Sequence, residues 1–412
     1  MYLSEAVRDP VHGMVRLEVA DLALIDSPPF QRLRHISQLG LTDRVYPGAR
    51  HSRFEHALGT VEVTTRLLEE MRARLGLDGL LGPLSIVTDE EHFHQLLRIA
   101  RYVALLHDIG HPPFSHVTEK LLPQGGHEEM TKSLLDHPEI SQPLTECGKE
   151  IQSSVLRVLD PFDDDLPAHL RFVRSLVCGG FGADRMDYLL RDSHFLGVQY
   201  GNFDLPRILH TLVPIETEEG VRLGIERGGV LAAEGMQWAR FSMFTQVYFH
   251  RTRRILDLHL INFLREVLPA GRYPQDPEQY LGWDDSKVLG LLQQIQLDEN
   301  HAGYLDARRI VRREHHRATG DVVEGRDIEE VSQRLAIRCE ELLHADATLD
   351  PIADVVSAPP DLAAGAELPV QDENGEVREL GQISALVGRL RVSPFGRIYC
   401  ARKLMVSDQM RE

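Results

Sequence analysis

The run Leu105-Leu106-His107-Asp108-Ile109-Gly110-His111 sets a histidine beside an aspartate straight after an apolar helical segment. Two metal-type ligands there are costly to desolvate, so packing alone does not account for them. His56, in Arg53-Phe54-Glu55-His56, and Asp184, in Ala183-Asp184-Arg185-Met186-Asp187-Tyr188, complete a set of two imidazoles and two carboxylates. Taken singly, His56 reads as a satisfied core or surface residue, and His107-Asp108 is a short motif with many chance matches. Taken together and in this order, the four point to a divalent metal and to hydrolysis. A mixed nitrogen and oxygen set suits Mn, Mg, Fe, Zn or Ni without choosing among them.

Spacing adds neighbours to that set. Arg53 stands three residues before His56, so a helix would put both on one face and bring a guanidinium beside the metal, as a phosphate clamp requires. The plainer alternative is a salt bridge from Arg53 to Glu55. Asp184, Tyr188 and Asp192 are spaced four and four along one helical stripe, with Met186, Leu189 and Leu190 on the buried side. His111 follows His107 by four residues and shares its face if the helix persists. Histidine is abundant, with 20 copies, many of them between His51 and His127, where proton transfer near neutral pH would be needed.

The elements that must hold these residues read mainly as helices through the first 265 positions. Phe30 to Ile36 and Glu55 to Leu68 carry apolar residues at three- and four-residue spacing. Gly79, Gly82 and Pro83 predict a loop over Asp78 to Asp89, before a helix from Phe93 to His107 that Pro112-Pro113 stops. Further helices are expected from Asp184 to Arg191 and, unbroken, from Ala232 to Val267. Val213 to Glu216 and Val221 to Ile225 form a hairpin around Thr217 to Gly220. A second hairpin pairs Leu368 to Gln371 with Val377 to Leu380 around Asn374-Gly375. A strand is expected from Arg397 to Ala401 and a connecting loop from Ala358 to Ala366. The resulting class is mainly α: a helical core over 1–268 and a C-terminal α+β appendage over 269–412, serving as lid, oligomer or regulatory contact.

The 412 residues suffice for a large core or two domains. No apolar run approaches the ~20 residues that span a bilayer, and the N-terminus lacks a basic region followed by an apolar stretch, so the expected location is cytoplasmic. Cys147, Cys178, Cys339 and Cys400 form no CxxC pair and read as buried thiols. The net charge of −18 argues against broad nucleic-acid binding, which needs basic surface to displace counterions.

With its flanks included, the pattern resembles the HD-domain deoxynucleoside triphosphate triphosphohydrolases, most of all the SAM and HD domain branch and its bacterial relatives. The resemblance rests on Asp9-Pro10-Val11-His12-Gly13, Phe30-Gln31-Arg32-Leu33-Arg34, Gln38-Leu39-Gly40, Tyr46-Pro47-Gly48-Ala49, Arg53 to Gly59, His107 to His111 with Pro113 to His116, and Asp184 to Tyr188 with Arg191-Asp192. It covers residues 5 to 260 strongly and the rest weakly.

The resemblance implies cleavage between the 5′ oxygen and the α-phosphorus, releasing deoxynucleoside and tripolyphosphate. It implies His116 as the general acid, with His111 and His127 contacting phosphates or transferring protons. Each of these three histidines also has the bland reading of a helix-end residue. It further implies that Arg185 contacts phosphate, that Tyr188 and Asp192 read the sugar and its 3′ hydroxyl, and that Gln38 and Leu39 exclude a 2′ hydroxyl. Tyr188 and Leu39 would otherwise be core. Tyr248 and His250 match a motif of the bacterial relatives, whereas Gln246 and Arg254 depart from the vertebrate branch.

For regulation, Asp26, Gln31 and Arg34 match residues that read an activating guanine nucleotide between subunits, and Arg313 and Arg317 fall where its phosphates would lie. A lysine near Glu5 is absent, and Arg8 replaces an asparagine. The basic run Arg308 to Arg317, seven arginines and histidines in ten positions, favours contact with a polyanion, either a nucleotide or a nucleic acid strand, over a solvated face paired with acids. The expected partners are a dNTP, an activating nucleotide and further copies of the chain as a dimer or tetramer. Rival functions are an HD nuclease or another nucleotide phosphohydrolase, and a binding-only nucleotide sensor.

Overall fold

The structure is a computed structural model that describes residues 3–123, 126–218, 220–356, 365–390 and 392–401. It is mainly α. A hairpin of β1 (Leu3–Asp9) and β2 (Gly13–Glu18) precedes the short helices α1 (Val19–Ile25) and α2 (Pro28–Gln31). Phe30 to Ile36 is thus not one α-helix: α2 runs into a 3-10 turn over Arg32–His35.

Two long helices make the centre: α3 (Arg53–Leu81) and α4 (Glu90–Leu106). A capping box starts α3, with the Ser52 N–H donating to Glu55 Oε2 at 2.8 Å and Ser52 Oγ accepting from the Phe54 N–H at 3.3 Å. Glu55 is therefore spent on the cap and does not pair with Arg53. The helix continues past Leu68, with Gly76 at φ +69 breaking its geometry, so the loop expected from Asp78 begins only after Leu81. Asp89 caps α4 by accepting from the His92 N–H at 2.9 Å.

Helices α5 (Gly126–Leu135), α6 (Pro138–Glu146), α7 (Lys149–Leu159) and α8 (Ala168–Cys178) wrap this pair. Helix α9 (Ala183–Leu196) packs against α3 so closely that a Cβ on Gly59 would strike the Asp187 carboxylate and Arg191. Helix α10 (Leu205–Thr211) leads into the hairpin of β3 (Leu212–Thr217) and β4 (Gly220–Glu226).

The single helix expected from Ala232 to Val267 is instead two. Helix α11 (Val230–Met243) passes through a π turn at Phe244–Tyr248 to an extended His250, from which α12 (Arg251–Val267) starts. Apolar periodicity does not register such a break, because buried residues lie on both sides of it.

Helices α13 (Pro277–Leu281), α14 (Asp285–Ile295) and α15 (Tyr304–Val311) follow, then β5 (Arg317–Glu324), α16 (Ile328–Ala345) and β6 (Ile352–Val356). The second expected hairpin is β7 (Pro369–Gln371) with β8 (Val377–Glu379), and β9 (Phe395–Cys400) lies between β5 and β6. β7 runs parallel to β4 with Ile225 opposite Val370, so one sheet joins the first 268 residues to the rest. Of the loop expected from Ala358 to Ala366, residues 358–364 lie outside the described residues. Among the described residues no helix is long and apolar enough to cross a membrane, and all four cysteines are unpaired.

Candidate metal centre and cavity

Helix α4 ends at Leu106 with His107 as its C-cap, so the helix does not persist to His111. The turn instead folds back, and His111 Nε2 lies 3.2 Å from Asp108 Oδ1. Gly110 permits this, because a Cβ there would collide with the α5 backbone at His127 and Thr131. The approach brings His127 over His111, with the two rings stacked 4.0 Å apart.

The four expected ligands converge. His56 Nε2 is 3.2 Å from Asp184 Oδ1 and 3.4 Å from Asp108 Oδ2, while His107 Nε2 is 3.5 Å from Asp108 Oδ1 and 3.8 Å from Asp184 Oδ1. Each imidazole donates its other nitrogen elsewhere: His56 Nδ1 to Asp187 Oδ2 at 2.7 Å and His107 Nδ1 to the Ala104 carbonyl at 2.8 Å. Both Nε2 atoms are therefore the ends turned to the carboxylates, buried and without a partner in good hydrogen-bond geometry. Imidazole nitrogens facing two carboxylates fit a divalent cation, whose binding displaces the proton that His56 otherwise holds.

The electrostatics agree. Burial alone would lower the pKa of His56, but the close carboxylates of Asp184, Asp187 and Asp108 raise it to about 10. Burial would raise Asp184, yet the close imidazoles of His107 and His56 hold it well below the usual carboxylate range. Asp108 is likewise held down against burial by Arg53, His107 and His111. The site favours positive charge at its centre. His111 goes the other way, kept neutral by burial and by the neighbouring Arg53 and His127.

Arg53 reaches over this set rather than to Glu55. Its Nη1 pairs with Asp108 Oδ2 and its Nε donates to Ser115 Oγ at 2.8 Å. Together with His107, Asp108 and Asp184, it lines a cavity of about 800 Å³, within the ~300–1,000 Å³ of small-molecule sites. The same wall carries Gln38, Leu39, His111, His116, His127, Arg185, Tyr188, Asp192 and Tyr248. Gln38 Oε1 is buried and unpartnered. Asp192 accepts from Tyr248 Oη at 2.6 Å and lies 2.8 Å from His51 Nε2. Arg185 Nη1 donates to the Gly179 carbonyl at 2.8 Å, at the end of α8.

His250 is not brought to this wall. Its ring caps α12, with Nδ1 accepting from the Thr252 N–H at 3.3 Å, and stands edge-on to Tyr46. Asp26 and Arg34 are exposed, and Gln31 receives Arg34 Nε at 2.8 Å and donates to the Ile25 carbonyl at 2.8 Å. In the basic run, Arg308 pairs with Glu314 at 2.7 Å and Arg309 with Asp350 at 2.8 Å, while His315 and His316 are buried. Arg313 donates to the Arg44 carbonyl at 2.9 Å, and Arg317 opens β5.

Sequence reasoning missed the supports. Asp187 receives His56, His12 Nε2 at 2.7 Å and Arg191 at 2.8 Å. Glu119 takes His116 Nδ1 at 3.0 Å on one oxygen and His127 Nδ1 on the other. The spacing of Asp187 to Arg191, four residues on one helix, was the local signal of the first, and that of His116 to Glu119, three residues, the local signal of the second.

Comparison with known proteins agrees with this geometry. Residues 53–191 match the HD domain and residues 203–397 the HD associated region. The chain is 31% identical over 411 residues to the uncharacterized protein YwfO of Bacillus subtilis, spanning 92% of this chain and 88% of that one. It is 31% identical over 235 residues to the deoxynucleoside triphosphate triphosphohydrolase SAMHD1 of Gallus gallus, spanning 50% of this chain and 36% of that one. This chain thus spans about a third of the length of that relative. The fold superposes on a hypothetical protein from Aquifex aeolicus with a TM-score of 0.79 at 32% identity, covering 97% of each chain. Four converging donors on the H, HD and D positions, inside a matching HD domain, place this chain in the HD-domain phosphohydrolase family.

Proposed function

We propose that the protein is a metal-dependent dNTP triphosphohydrolase. The observation that carries this reading is one cavity lined by His107, Asp108 and Asp184 of the metal-ligand set together with three histidines and with Gln38, Leu39, Tyr188, Asp192 and Tyr248. That wall offers groups for phosphates and a sugar together. The likeness to SAMHD1 of Gallus gallus and of Homo sapiens supports the substrate class.

His56, His107, Asp108 and Asp184 would hold the ion, which when bound supplies Lewis-acid charge and an acidified water. Arg53 orients a phosphate at that centre while staying paired to Asp108. Water adds to the α-phosphorus and gives up a proton to solvent as the bond to the 5′ oxygen breaks, and that oxygen takes a proton from His116, leaving deoxynucleoside and tripolyphosphate. Glu119 fixes the Nδ1 edges of His116 and His127, so Nε2 is the working end of each ring. Asp192, oriented by Tyr248 and His51, accepts the 3′ hydroxyl, and Gln38 Oε1 is a free acceptor for the sugar. Leu39 crowds the position of a 2′ hydroxyl. Activation by a nucleotide bound at Asp26, Gln31 and Arg34, with phosphates on Arg313 and Arg317 across a homo-oligomer interface, extends the same reading.

Product analysis tests it: purified protein with Mn or Mg and each dNTP, singly and mixed. Deoxynucleoside with tripolyphosphate is expected, and turnover confined to the mixture would mark activation. Cleaved polynucleotide or stepwise phosphate release would favour the nuclease or phosphatase alternative, and nucleotide bound without turnover would favour a sensor.

A further inference from the structure

The segment Tyr280 to Asp285 lies outside the HD domain yet braces the turns that build the cavity. Tyr280 Oη donates to the Gly110 carbonyl at 2.7 Å, and Arg32 links the Trp283 carbonyl, at 2.9 Å, to the His111 carbonyl, at 3.0 Å. Asp285 ends the brace. Its side chain is buried, with Oδ2 accepting from the Ser37 N–H at 2.9 Å and Oδ1 from the Phe114 N–H at 2.7 Å.

Those two amides belong to separate cavity loops, one carrying Gln38 and Leu39, the other His116. The loops are otherwise joined through Ser115, whose Oγ donates to the Ser37 carbonyl at 2.6 Å and receives Arg53 Nε. Phe114 and Ser115 both hold left-handed backbone, φ +61 and +58, a conformation that persists only where surroundings enforce it. Asp285 is not required by its own helix, because Asp284 is the cap of α14 and accepts from the Lys287 N–H at 2.7 Å. Burial raises its pKa to about 6 against the bonds from Ser37 and Phe114, a cost that the helix would not demand.

We infer that Asp285 is a positioning residue that fixes the sugar-reading loop and the proton-donor loop relative to each other from outside the HD domain. The roles of the two loops rest on the function proposed above; the clamp itself does not. One carboxylate with two oxygens is suited to this, since each oxygen serves one loop. An amide cannot replace it, because its NH₂ would face one of the two N–H donors.

The test uses the full chain with Asp285→Asn, which keeps volume and removes one acceptor. Hydrogen–deuterium exchange over 37–41 and 112–117 should rise together by about tenfold, the worth of one buried hydrogen bond, with metal stoichiometry unchanged. If the wild-type protein turns over dNTPs, kcat should fall on the order of 100-fold, as for a misplaced catalytic group, and the preference for deoxy over ribo substrates should shrink. Exchange unchanged in either loop overturns the clamp whether or not the protein is a dNTPase. Exchange raised throughout, or a variant that does not fold, overturns it in favour of a general structural role. Loosened loops with wild-type kcat and sugar preference overturn its part in positioning.

Discussion

The Nδ1 of His56 sits 2.7 Å from Oδ2 of Asp187, and that single bond decides which end of the imidazole is available at the metal centre. A carboxylate accepts only, so His56 keeps a proton on Nδ1, and Nε2 is the end that gives up its proton when a cation binds. Asp187 is itself locked by Arg191, through Nε at 2.9 Å and Nη2 at 2.8 Å, and by His12.

Asp187→Asn should therefore weaken metal affinity by about 10- to 100-fold, the usual effect of losing a ligand's supporting carboxylate. The amide nitrogen can turn toward His56 and favour the wrong tautomer. Arg191 keeps Asp9 at 2.8 Å, so the fold should survive. Metal titration of the purified variant checks this; wild-type affinity would remove Asp187 from the metal site.

The contrast between His56 and Asp187 shows what was legible in the sequence. His107-Asp108 stood out because two polar ligands after an apolar helix are costly to desolvate, and His56 and Asp184 stood out only in combination and order with that pair. Asp187 differs from any helical acid only in what lies across from it on α3, and no periodicity reports a contact between residues 131 apart. Glu119 is near in sequence, three residues from His116 and eight from His127, but the 3-10 turns and the loop between them carry no periodicity that would report the shared contact. The hairpin around Asn374-Gly375 was legible because its turn chemistry is local. The break between α11 and α12 was not, since buried residues flank both sides. His250 carried a motif's expectation, but the extended backbone there makes it a helix cap.

Glu119→Gln should change how His127 titrates. Burial would lower His127, but the bond and charge of Glu119 raise it above the ordinary 6.5, while His116 and His127 hold Glu119 well below the ordinary 4.5. The His127 contribution to stability is thus fully present below pH 6.5 and is lost as pH rises through its raised value. The Glu119 contribution is present above pH 4.5 and is lost as pH falls toward its depressed value. The pair is intact between those limits. Imidazole NMR should place His127 above 6.5 in the wild type and lower in the variant. An unmoved resonance would break the assignment of Glu119 as its support.

Leu39→Ala should lower discrimination against ribonucleotides by about 10-fold or more, since small steric differences in a pocket are worth about 1–3 kcal/mol. Leu39 is also buried in the core, so a stability loss of about 2–5 kcal/mol accompanies it. The informative quantity is the ratio of kcat/KM for a dNTP to that for its ribonucleotide, which a global loss of folded protein leaves unchanged. A constant ratio would make Leu39 core only.

His116→Ala and His107→Ala should fail differently. His107 contributes a ligand, and its loss should remove metal and turnover together. His116 is largely exposed, its side chain at 64%, and touches Glu119 rather than any of the four converging donors. His116→Ala should keep full metal content and lose about 10²- to 10⁴-fold in kcat, the span of general-acid catalysis. A substrate whose leaving group needs no proton should recover most of that loss in His116→Ala and none of it in His107→Ala. Metal loss in His116→Ala, or no recovery with such a leaving group, would shift the acid role to His127, which shares the same supporting carboxylate.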